Sequence, residues 1–312
     1  MTELDVLTIG RVGVDLYPEQ SGVPLAQVRS FAKFLGGTAT NVAVAAARLG
    51  RRTAVLTKVG PDGFGDFVRD ALEGLGVSAR YVGTSPDLQT PVVFCELNPP
   101  ADPPLLFYRA PIAPDLTLTE DEIPWEVVDS VPLLWVTGTG VSAEPGRTTQ
   151  RAILERRARH GHTVLDLDYR PMFWPDVETA RAEIGWMVDH VNVVVGNRTE
   201  VQVAVGTADP DEAADRLLAR GVRMAVVKRG AEGVLIATEA ERWTVPPCPV
   251  RVRCGLGAGD GFGGALIHGL LSGWDPHRVA AYANAAGALV ASRLACADAM
   301  PTAAEIEEML CT

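Results

Sequence analysis

Short runs rich in β-branched residues take turns with longer helix-like runs along most of this chain, and few folds accept that alternation. A strand followed by a helix and another strand returns the chain in the same direction, so the pattern calls for a mostly parallel sheet flanked by helices. Strands are expected at 6–10, 53–59, 133–137, 163–168, 191–195 and 224–228. Helices are expected at 40–49, 64–75, 148–159 and 213–220, and the C-terminal part turns helical over 258–271, 276–293 and 303–310. The 40–49 run is apolar nearly all round, which marks a buried helix. Stretches 23–35 and roughly 90–110 break the alternation and read as extended strands between Pro-rich turns. Segments of about 11–35 and 88–112 would form a small β lid on one α/β domain spanning 1–312, where a lid can exclude water from chemistry. A pair of ordinary surface hairpins is the alternative.

Composition narrows the class. A 312-residue chain that is 47% hydrophobic can fill a large core, and a net charge of -11 argues against a nucleic-acid partner. No apolar run reaches membrane-spanning length, and the N-terminus lacks the apolar region of a signal peptide. Cys95, Cys248, Cys254, Cys296 and Cys311 show neither CxxC nor zinc spacing, which fits a reducing cytoplasm.

The most informative segment is 254–268, CGLGAGDGFGGALIH, where a glycine-rich turn runs straight into an apolar helix. Bare backbone amides and the helix dipole make such a start an anion cradle. Asp260, in the first turn, would repel a phosphate but is placed to take a proton from a hydroxyl attacking one. Its pKa is expected to be low beside a helix N-terminus. A plain glycine-rich cap, with Asp260 satisfying helix amides, is the competing reading. The segment also looks like part of a dinucleotide fingerprint, but only helices follow it, and no GxxxxGK[ST] loop occurs.

Three motifs, taken in order, resemble the ribokinase-like family, the PfkB carbohydrate kinases. They are GGTATNVAVAAARLG at 36–50, NRTE at 197–200 and GAGD at 257–260. The resemblance covers essentially the whole chain and implies a ribokinase-like α/β fold with a β lid. It implies Asp260 as base, with the amides of Gly257, Ala258 and Gly259 as the anion hole for the transferring phosphate. It implies ATP and Mg2+ as cofactors, with Glu200 acting on Mg2+ through water beside Asn197; an ordinary capping box is the alternative for that pair. Lys228, Gly230 and Gly233 resemble the family's strand-turn-strand beside the nucleotide, and Asn284 matches a position near adenine. Asp15, Gly36, Gly37 and Asn41 match positions around the phosphoryl acceptor. Many members carry an Asp-Thr pair tied to a monovalent cation before this motif; here Cys254 stands in that stretch, and no such cation is expected.

Two arginines point to an acidic acceptor. Tyr108-Arg109 ends the second lid-like stretch, and Asp168-Tyr169-Arg170 follows a core strand, at whose carboxyl end ligands gather. Arginine can grip a carboxylate through two parallel hydrogen bonds, although a structural salt bridge explains either residue alone. Residues 166–174 and 255–271 are similar to the family's kinases of six-carbon deoxy-keto acids, which phosphorylate the terminal hydroxyl. A neutral-sugar or nucleoside kinase and a non-catalytic sugar sensor are the alternatives. An exposed β lid has edges that a second copy would cover, so a homodimer through the lid is expected.

Overall fold

The computed structural model describes residues 3–20, 22–97 and 103–311; residues 21 and 98–102 of the two lid-like stretches lie outside the described residues. The chain opens with β1 (Val6–Ile9), β2 (Gly13–Pro18), β3 (Phe31–Gly36), α1 (Thr38–Arg48), β4 (Thr53–Val59) and α2 (Gly63–Gly74). Then come β5 (Val77–Ser78), β6 (Val82–Thr84), β7 (Val92–Cys95), β8 (Leu105–Tyr108), α3 (Trp125–Ser130), β9 (Leu133–Thr137) and α4 (Gly146–Arg157). The middle holds β10 (His162–Asp166), α5 (Val177–Val188), β11 (Val193–Asn197), α6 (Arg198–Val205), α7 (Pro210–Ala219) and β12 (Met224–Lys228). The chain closes with β13 (Val234–Ala237), β14 (Arg242–Val245), α8 (Ala258–Leu271), α9 (Pro276–Ala291) and α10 (Ala303–Leu310).

Two sheets form. The larger has ten strands in the order β14-β13-β12-β11-β10-β9-β1-β4-β5, with β6 also paired to β4. Its centre is parallel from β4 through β1, β9, β10 and β11 to β12, and the β12-β13-β14 edge is antiparallel. The parallel strands at its centre are buried on both faces, so they read as continuous apolar runs. Alternate residues serve opposite layers. Leu134, Val136, Leu165 and Val194 pack with α4, α5, α6 and α7, whereas Leu133, Trp135, Val164 and Val193 pack with α1, α8 and α9. Helix α8 lies so close to this second layer that a Cβ on Gly263 would stand 2.9 Å from the Trp135 ring. Among the described residues, no helix is long and apolar enough to cross a membrane.

The smaller sheet has the order β3-β2-β7-β8, with β3, β7 and β8 from the two stretches that broke the alternation and β2 from the residues just before the first. Register places Asp15 beside Val93 and Val93 beside Phe107, so these share one face. Leu106 and Tyr108 alternate to the other face, where they are 47% and 60% exposed.

Candidate functional site

Gly257 immediately precedes helix α8; its φ of 78° is the left-handed conformation that glycine alone adopts freely, and it makes no side-chain cap. A Cβ on Gly257 would stand 2.9 Å from Cys296 Sγ, so the turn also needs glycine for space. The first turn forms a wall between two cavities. One, of about 70 Å³, has Gly257 and Asp260 in its lining, with Asp15, Gly37, Asn41, Arg109 and Arg170. The other, of about 590 Å³, has Ala258 and Gly259 in its lining, with Lys228, Gly230, Gly233 and Asn284. Asp15, Gly37, Asn41, Arg109 and Arg170, of the residues expected to touch an acceptor, thus gather on one side of the turn, and most of those expected near a nucleotide gather on the other.

In the smaller cavity Asp260 Oδ2 accepts a hydrogen bond of 2.8 Å from Asn41 Nδ2. Burial pushes the Asp260 carboxyl up to about 6, with Asn41, Arg11 and Lys228 pulling the other way. This corrects the expectation of a low pKa: desolvation inside the cavity outweighs what favours the anion at the helix start. Burial likewise pushes Asp15 up to about 7, against the pull of Arg11. Asn41 Oδ1 is buried without a hydrogen-bond partner. Gly37 lines the cavity, and its φ of 105° brings its backbone against Arg11 and Val12. Gly36 lies behind it, where a Cβ would overlap the Asp15 carboxylate.

Both arginines singled out from sequence reach this cavity, and both also make ion pairs. Arg109 Nη2 donates to the two carboxylate oxygens of Asp115 at 2.9 and 2.8 Å, and Arg170 Nε donates to Asp168 Oδ1 at 3.2 Å. Tyr108 does not join them; strand alternation turns it to the exposed face, where its ring meets Phe94 edge-on at 5.5 Å. Asp168 is not in the cavity lining either. It is 2% exposed and accepts hydrogen bonds from Arg11, Arg170 and Thr139, so it holds arginines rather than facing a ligand. Its φ of 29° is left-handed, a strained choice for a residue other than glycine. Burial raises its pKa, but the guanidinium groups of Arg11 and Arg170 bring it below the ordinary value.

Across the turn, Lys228 Nζ would be 3.3 Å from a Cβ on Gly259, which puts its ammonium against the glycine backbone. Burial disfavours that charge, but Asp166, Glu200 and Asp260 together raise the Lys228 pKa. Asn284 lines the same cavity and donates to the Pro246 carbonyl at 2.6 Å. Asn197 and Glu200 form a reciprocal capping box at the start of α6, with bonds of 3.0 and 2.7 Å, and neither is in either lining. Among the described residues no cluster of three or more His, Cys, Asp or Glu is placed to hold a metal.

Sequence reasoning missed Arg11, Thr38, Phe107 and Cys296, which line the smaller cavity, and Asp166, whose carboxyl burial pushes up to about 8 against the pull of Lys228. Arg11 lies two residues past the end of the first strand, at the carboxyl edge where ligands gather, so its position carried a signal.

Residues 3–303 match the model of the pfkB family of carbohydrate kinases. The chain is similar to the 5-dehydro-2-deoxygluconokinase of Clostridium tetani, with 30% identity over 98% of this chain and 93% of that one. A protein of the same name from Photobacterium profundum is 33% identical over 96% and 92%. Among solved structures, a fructokinase double mutant from Vibrio cholerae O395, bound to fructose, ADP and potassium ion, superposes with a TM-score of 0.87 at 27% identity, covering 98% of each chain. A protein described as a ribokinase II from E. coli, in complex with ATP and Mg2+, gives 0.89 at 25%, covering 98% of this chain and 99% of that one.

Proposed function

The chain belongs to the pfkB family of carbohydrate kinases, and from that premise we propose that it transfers the γ-phosphoryl group of ATP to the terminal hydroxyl of 5-dehydro-2-deoxygluconate. The observation that carries this reading is the shared wall: one helix turn borders a small polar cavity with Asp260 and a large cavity with Lys228. A phosphoryl group held at that turn lies between the two.

The chemistry follows from the side chains. The acceptor hydroxyl lies beside Asp260, and Asn41 orients the carboxylate through Nδ2 while its free Oδ1 can accept from a sugar hydroxyl. Asp260 takes the hydroxyl proton as the new O–P bond forms and the bond from the γ-phosphorus to the bridging oxygen breaks, releasing ADP. The amides of Gly257, Ala258 and Gly259 and the Lys228 ammonium stabilise the negative charge on the transferring group. Glu200 and Asp166, both in the field of Lys228, are the carboxylates that would hold Mg2+ through its waters, where the ion neutralises phosphate charge. Gly230 and Gly233 leave bare backbone beside the nucleotide, and Asn284 reaches the same cavity.

The acid end of the acceptor is assigned to the arginines, which retain donors beyond those paired with Asp115 and Asp168. 2-Keto-3-deoxygluconate shares the same end groups and is the second reading. The smaller sheet serves as the lid over the acceptor, and a second copy of the chain covers its outer face, where Phe31, Phe94 and Tyr108 stack edge-on. Five free thiols suit a reducing cytoplasm.

An ATP-consumption screen with Mg2+ over both keto acids, fructose, ribose and adenosine tests the acceptor. The 5-dehydro acid should give the highest kcat/KM. A faster neutral sugar or nucleoside would refute the acid assignment, and ATP binding without transfer to any acceptor would mark a sensor.

A further inference from the structure

Three guanidinium groups, of Arg11, Arg109 and Arg170, reach the acceptor cavity, and among the described residues only two carboxylates pair with them. Asp115 is committed to Arg109, while Asp168 is shared between Arg11 and Arg170. Asp15 and Asp260 also line the cavity, yet neither hydrogen-bonds to any of these arginines. Two guanidinium groups therefore share the single carboxylate of Asp168, an arrangement that suits a further anionic group in the cavity.

Arg11 is the most tightly held of the three. It is 6% exposed. Its Nε donates to Thr139 Oγ1 at 3.2 Å, and its Nη2 donates to Thr38 Oγ1 at 2.5 Å and to Asp168 at 2.7 Å. Its guanidinium carbon stands 5.6 Å from the centre of the Phe173 ring, which Arg109 also approaches, at 5.2 Å. Among the described residues its Nη1 has no hydrogen-bond acceptor, although the residue lines the cavity. A guanidinium fixed through Nε and Nη2 is preorganised to present its unpaired Nη1 to an anion.

We propose that Arg11 is a specificity-determining residue for the acceptor, its free Nη1 binding the substrate carboxylate beside Arg170, with Phe173 as a positioning residue beneath it. This rests on the sugar-acid reading given above and adds the residue that enforces it. A lysine at position 11 would keep the charge but lose the fork.

The test compares 5-dehydro-2-deoxygluconate with the matched alcohol carrying CH2OH in place of the carboxylate. Wild type must first prefer the acid; if it does not, the sugar-acid reading itself fails. Given that preference, Arg11→Lys should raise KM for the acid about 10-fold or more, with kcat within about 3-fold and KM for the alcohol unchanged. An acid preference retained in Arg11→Lys would overturn the role of Arg11 and leave the sugar-acid reading standing. Should that variant fail to fold, Phe173→Leu, which strands no buried charge, should still raise KM for the acid about 3-fold and spare the alcohol. Equal loss on both acceptors, or none, would overturn the proposal.

Discussion

Asp260 needs its proton off to act as a base, and burial pushes its pKa up to about 6. The rate kcat/KM should therefore climb as pH rises through about 6 and then level; a profile flat from pH 5 to 8 would contradict this. Asp15 carries the complementary stability effect. Its carboxyl, raised from 3.8 to about 7, keeps a proton in the folded chain where the unfolded chain has lost it. Folding is thus relatively favoured at low pH, and that advantage disappears as pH rises from about 4 to about 7. Asp15→Asn should melt above wild type at pH 8 and converge with it near pH 4; a lower midpoint at pH 8 would show that the carboxylate makes native contacts worth more than its burial penalty. Gly257→Ala should destabilise by about 1–2 kcal/mol, from the left-handed φ, before counting the approach to Cys296. Urea titration measures this, and no loss would mean that the turn relaxes freely.

At the level of elements, α6 holds a residue with two readings. Glu200 caps its own helix with a 2.7 Å bond and also acts on the charge of Lys228. Glutamine can keep the capping bond but not the charge. Glu200→Gln should leave the melting midpoint nearly unchanged and raise the half-saturating Mg2+ concentration several-fold, measured by ATP turnover against Mg2+. A drop in stability with Mg2+ dependence intact would leave only the cap. Most elements were legible because doubly buried strands and amphipathic helices write different periods. Tyr108 was misplaced because neighbours in sequence point to opposite faces of a strand, so its link to Arg109 did not survive into the fold. Helix α5 went unread: its buried residues, among them Ala180, Ile184 and Met187, alternate with charged ones too weakly to stand out. The strand-turn-strand around Gly230 anticipated β13, but β14 went unread, since Arg242, Trp243 and Thr244 are exposed and lack a strand-like pattern.

For the molecule as a whole, the parallel sheet and the glycine turn were readable, but their convergence was not. Asn41 and Asp260 are 219 residues apart and meet through one hydrogen bond, and Arg11 meets Asp168 across 157. No local pattern encodes such pairs; the sheet order creates them by bringing β1, β9 and β10 side by side. The outer face of the smaller sheet is likewise a property of the assembled chain. Leu106→Glu, placed on that 47% exposed position, should convert a dimer to monomers in sedimentation velocity; a wild-type chain that already sediments as a monomer would contradict pairing there. The shared wall is tested most directly by single-turnover phosphoryl transfer in Asp260→Asn with ATP and acceptor both bound. The transfer rate should fall roughly 10²–10⁴-fold while both ligands bind within about 3-fold of wild type. Transfer at the wild-type rate would remove Asp260 as the base, and with it the placement of the reaction at this turn.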